Sequence, residues 1–113
     1  MTDEIEAPTT NQLMISIQRA LLGEVGDNLF AVTVGYRADT GIDIDSYFIG
    51  PVSEQDWLGM SSVSAEVCAD FPGVRRVESN VFNALELGET RMRDFWAFQR
   101  RRDSRTNDIG SSE

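Results

Sequence analysis

The residues with the most obvious chemical potential are the acids clustered in one short stretch, Asp39, Asp43 and Asp45, with Tyr47 beside them. Asp39-Thr40-Gly41 is the Asp-Thr-Gly triplet of aspartic proteases, in which two such aspartates face each other across a dimer and share one proton. Here Tyr36-Arg37-Ala38 precedes the triplet in place of the apolar lead that enzyme class uses. Nor does the chain contain a glycine-rich flap or a late apolar-apolar-Gly segment. Asp, Thr and Gly are also ordinary turn formers, and the triplet reads as a turn. A calcium loop fits no better, because the acid spacing is wrong and no terminal Glu follows. On a strand Asp43 and Asp45 would stand about 7 Å apart on one face, too far to hold one ion unaided. No metal and no cofactor is expected.

The rest of the composition narrows the chemistry further. The chain has no histidine, and all ten of its basic residues are arginine. That removes the commonest general base, the Ser/His and Cys/His nucleophile pairs, and lysine-dependent Schiff-base or phosphate-loop chemistry. The single cysteine, Cys68, cannot form an internal disulfide, and its apolar surroundings predict a small buried side chain. A non-enzymatic protein is expected.

The elements that must position these acids come next. Asn28 to Gly50 has two alternating runs around the Asp-Thr-Gly turn, the signature of a β-hairpin. Phe30, Val32, Val34 and Tyr36 fall on one side of the first run, with Leu29 on the other. In the second, Ile42, Ile44 and Phe48 oppose Asp43, Asp45 and Tyr47. A first helix, capped by Thr10 or Asn11 and running to about Leu22, carries Leu13, Ile17 and Leu21 on one stripe. Ser53 caps a second helix, with Asp56 placed for a capping box. Its apolar stripe is Trp57, Met60, Val63, Val67 and Phe71, and Pro72-Gly73 ends it. Val74 to Leu87 leans towards strand, with a bulge or bend expected near Asn80, and Leu87 to Thr90 reads as a turn. Met92 to Arg100 fits a strand, with Met92, Asp94, Trp96 and Phe98 on one side and a short helix as the alternative. Trp57, Trp96 and the phenylalanines are read as mostly core.

The order α-β-β-α-β-β predicts an α+β two-layer sandwich: an antiparallel four-stranded sheet with both helices on one face and its other face open to solvent. At 113 residues the chain is expected to form one domain, 1–113, with 1–9 and 103–113 loosely held. The acidic start is unlike a signal peptide and no apolar run is long enough for a membrane span, so a cytoplasmic protein is expected.

Charge points to the partner. The net charge is −9; residues 1–90 hold 15 acids against 4 arginines, and residues 91–113 hold 6 arginines against 4 acids. Such a body repels nucleic acid and anionic membranes and attracts basic proteins. Arg100, Arg101, Arg102 and Arg105 lie near Trp96 but cannot outweigh that charge as a nucleic-acid site.

Ala20-Leu21-Leu22-Gly23-Glu24-Val25, Asn28-Leu29, Ala31-Val32, Tyr47-Phe48 and Glu66-Val67-x-Ala69-Asp70-Phe71 together resemble small acidic immunity proteins of bacterial polymorphic-toxin and contact-dependent growth inhibition systems. The resemblance spans Leu13 to Arg102. It implies a cytosolic inhibitor that binds and neutralises a cognate toxin domain, commonly a nuclease, without chemistry of its own. On that reading Asp39, Asp43, Asp45 and Tyr47, with Glu78 as a neighbour, are the expected partner-binding residues, and the protein is a monomer or homodimer. The alternative is an adaptor or structural subunit of a larger assembly.

Overall fold

The computed structural model describes residues 7–100. The elements are α1 (Thr10–Leu21), β1 (Leu29–Arg37), β2 (Gly41–Phe48), α2 (Glu54–Asp70), β3 (Val77–Asn83), α3 (Ala84–Leu87) and β4 (Phe95–Gln99). Both long helices start at capping boxes. Thr9 accepts from the Gln12 amide and Gln12 reaches back to Thr9, one residue earlier than expected; Ser53 and Asp56 form the second box, as the spacing predicts.

The four strands form one sheet in the order β3-β2-β1-β4. β1 pairs antiparallel with β2 and with β4, but β3 runs parallel to β2. The sheet is therefore mixed, which corrects the antiparallel expectation. The cause is the connection: α2 lies between β2 and β3 and carries the chain back to the end where β2 began, as a crossover must.

Leu13, Ile17, Ala20 and Leu21 of α1 and Met60, Val63 and Val67 of α2 bury against Val32, Val34, Ile42, Ile44 and Phe48, so both helices cover one sheet face. Four local readings change. A bulge between Leu29 and Ala31 brings Leu29 into the core in place of Phe30. A second, opposite Val32 and Thr33, separates Phe98, paired with Val32, from Trp96, paired with Thr33. β3 runs through Asn80 without a break, then turns at Asn83 into the short α3, where Asn83 Oδ1 accepts from the Leu85 amide. The strand read as 92–100 is confined to Phe95–Gln99.

Trp57 and Cys68 are exposed rather than buried. At 100° per residue they lie roughly 90° and 110° round α2 from the stripe that Met60, Val63 and Val67 define. No described helix is long and apolar enough to cross a membrane. Of the expected loose ends, 1–6 and 103–113 fall outside the described residues, as do Arg101, Arg102 and Arg105, while Thr9 is held as the cap of α1.

Candidate functional site: a covered acidic sheet face

The second face of the sheet carries the acids. Parallel pairing in register sets Glu78 beside Asp43, Asn80 beside Asp45 and Phe82 beside Tyr47, all on the face turned away from α1 and α2. Asp43, Asp45, Tyr47 and Glu78 therefore share one face of the sheet. Asp39 stands apart, exposed in the turn at the hairpin tip. That turn depends on glycine. Gly41 has φ +106°, and a Cβ there would lie 2.1 Å from the Arg76 carbonyl oxygen. The same carbonyl accepts from the Ile42 amide, and Arg76 Nε donates to the Thr40 carbonyl. Arg76 also pairs with Glu78, which remains exposed.

The face is not open as expected. The segment from Gly88 to Asp94, between α3 and β4, crosses it as a strap, and Asp45 and Tyr47 are left only 5% and 3% exposed. Arg93 fixes the strap: its Nε donates to Asp45 Oδ2 at 2.6 Å, and its amide donates to Thr33 Oγ1 at 2.8 Å. Asn80 Nδ2 donates to the other Asp45 oxygen at 2.9 Å. Asp45 is thereby satisfied on both oxygens although buried, the condition for keeping a charge out of water. The Tyr47 hydroxyl donates to the Arg91 carbonyl and accepts from the Arg91 amide, each at 3.2 Å. Asp94 closes the strap, its carboxylate accepting from the Tyr36 amide and its own amide donating to the Val34 carbonyl. Burial alone would lower the Arg93 pKa, but the hydrogen bond and charge of Asp45, then Asp43 and Tyr47, raise it above the ordinary arginine value.

Between strap and sheet runs a groove of about 770 Å³, walled by Asp43, Tyr47, Phe82, Leu87, Met92 and Arg93 among others. Tyr47 stacks on Phe82 with ring centroids 5.2 Å apart and packs against Trp96 at 6.4 Å. Sequence reading missed Arg93, Asn80, Thr33, Phe82, Leu87 and Met92. Phe82 and Asn80 follow from alternation once β3 is known to be parallel; the strap has no periodicity to place it. Among the described residues no group of three or more His, Cys, Asp or Glu is arranged to hold a metal ion. The acids are met by arginine and amide donors instead.

The model of the MafI2 immunity protein family matches residues 10–102. The chain belongs to the MafI2 immunity protein family. The match begins at the first residue of α1 and takes in every described strand and helix. Comparison with curated proteins found no match. Membership of the MafI2 family agrees with the resemblance drawn from the sequence and identifies a small immunity protein of a bacterial toxin system. Such proteins are generally non-enzymatic.

Proposed function

We propose that this MafI2 protein acts in the cytoplasm by binding a cognate toxin domain and neutralising it, without catalysis. The observation that carries this reading is the family match across residues 10–102. The net charge of −9 supports a basic partner, and a nuclease is the class whose phosphate-binding surface acidic side chains would best occupy. Binding there would occlude the groove that the nucleic acid uses. The contact surface is the acidic sheet face. Asp39 and Glu78 lie exposed at its hairpin end, and Asp43 lines the groove, while Asp45 and Tyr47 act from beneath by holding the strap.

Co-expression with toxin domains of the systems that MafI2 immunity proteins serve tests the reading. The chain is expected to restore growth against one of them and to co-purify with that domain. Toxins that all kill equally with and without it would refute the proposal. Asp39→Arg with Glu78→Arg changes only exposed positions, and is expected to slow association about ten-fold while leaving the thermal midpoint within a few degrees of wild type.

A further inference from the structure

The groove beneath the strap combines two features that the family match does not account for. One is an under-coordinated acid. Asp45 accepts from two donors, Arg93 Nε and Asn80 Nδ2, whereas Asp43 has only a loose ion pair, with Arg93 Nη1 3.7 Å away, and its side chain makes no hydrogen bond among the described residues. It is nonetheless only 15% exposed, and it lies in the groove wall. A carboxylate so far withdrawn from water normally has its oxygens occupied by donors. The other feature is the apolar wall. Leu87 and Met92, on either side of the strap's start, are 50% and 53% exposed and share the groove with the Phe82 ring. Half-exposed apolar side chains around a concave surface, beside a carboxylate whose only partner is one loose ion pair, have the anatomy of an interface centre.

We propose that this groove receives one projecting segment of the toxin, seating an arginine or lysine side chain on Asp43 and a neighbouring apolar side chain against Phe82, Leu87 and Met92. The inference rests on the toxin-binding reading above and assigns it a pocket. Charge complementarity selects this occupant. The protein as a whole is at −9, so a phosphate-bearing ligand or a second copy of the chain is repelled, whereas a basic domain is drawn in. The Arg93 guanidinium makes its close contact with Asp45 and stands 3.7 Å from Asp43, so Asp43 is the carboxylate of the groove wall left with room for a further donor. The groove, of about 770 Å³, has room for more than one side chain.

The test uses an inactivated toxin domain that the co-expression experiment shows this chain to neutralise, with binding measured at low and physiological salt. Asp43→Asn keeps the shape and removes the charge; affinity is expected to fall about ten-fold and the salt dependence to weaken. Leu87→Ser with Met92→Ser alters only half-exposed positions; dissociation is expected to quicken about 30-fold with the salt dependence unchanged. Wild-type affinity in both variants would overturn the groove while leaving toxin binding intact. A wild-type chain that does not bind the domain at all would overturn the functional reading, and the groove's occupant with it. A dimer of the free chain that the Leu87→Ser, Met92→Ser variant converts to monomer would give the groove to a second copy and equally overturn the proposal.

Discussion

Arg93 is the residue on which the acidic face turns. Its side chain reaches Asp45, 48 positions earlier in the chain, and its amide reaches Thr33, 60 positions earlier. Removing the guanidinium would strand the Asp45 carboxylate in a site only 5% exposed, with Asn80 as its remaining donor. Arg93→Met is therefore expected to cost roughly 2–3 kcal/mol, below the range for a fully buried pair because the Arg93 side chain is itself more than a third exposed. Arg93→Met with Asp45→Leu is expected to recover part of that loss, since the buried Asp45 charge goes with its partner while Asp43 still loses Arg93. Urea unfolding of the two single variants and the double checks both statements through the cycle. Gly35 adds a steric constraint to the same contact: a Cβ there would lie 3.0 Å from Arg93 Cβ and 3.5 Å from Asp94 Cγ. Gly35→Ala is expected to push the strap outward at a cost of about 1–2 kcal/mol, read as faster amide exchange at Arg93 and Asp94. Alternation along β2 told which side Asp43, Asp45 and Tyr47 share. It carried no information on what covers that side, because the cover comes from a distant irregular segment.

At the scale of the element, α2 shows which sequence signals are strong. Its start was legible because Ser53 and Asp56 satisfy each other's amides locally, with no help from the rest of the fold. Ser53→Ala is expected to cost about 1 kcal/mol, measured as a lower thermal midpoint. Its orientation was less legible: Trp57 fits the spacing of an apolar stripe, but the face that packs is set by Met60, Val63 and Val67. The direction of β3 was within reach of the sequence, since a connection containing a whole helix returns a strand parallel to its predecessor. Both ends of α2 are fastened by carboxylates. Ser16 donates to Asp70 at 2.6 Å, and Arg19 pairs with the same oxygen at 2.8 Å. The Ser16 bond above all, against some desolvation and aided by Arg19, holds the Asp70 pKa below the ordinary value, although Asp70 sits at the unfavourable end of the helix dipole. At Asp56 desolvation opposes ionisation, but the bonds from Asn28 and Ser53 outweigh it and lower the pKa there too. Both folded-state pKa values lie below the unfolded one. The stability they contribute is present above the unfolded value of about 3.9 and is lost as pH falls through the folded values. The thermal midpoint of Asp70→Asn is accordingly expected to lie below wild type at pH 7 and to converge on it as pH falls below the folded-state value.

For the whole molecule, charge is the property that reaches beyond its surface. A net −9 on 113 residues gives a field that steers a basic partner, and that field is screened within about 8 Å at physiological ionic strength. Association with a basic toxin domain is expected to slow at least ten-fold between 20 mM and 500 mM salt while dissociation changes far less, a split that stopped-flow mixing resolves. The mixture of helices with a four-stranded sheet was readable from periodicity, as was the pairing of the hairpin. The strap and the bulges were not, since they arise where distant parts of the chain must fit together.

The separation between β1 and β4 has a consequence for the order in which the protein assembles. The hairpin closes through a turn of a few residues, and β3 joins it once α2 has formed. Thr33 meets Phe95 only across 62 positions. Closing that long loop carries the largest entropic cost in the sheet, and no local contact offsets it beforehand. β4 and the strap are thus the last parts to arrive and the first to leave, so the finished groove reports that folding is complete. A nascent or partly unfolded chain would present the acids of β2 without the wall of Leu87 and Met92. It would attract a basic domain but would not grip it, and protection would wait on the final strand.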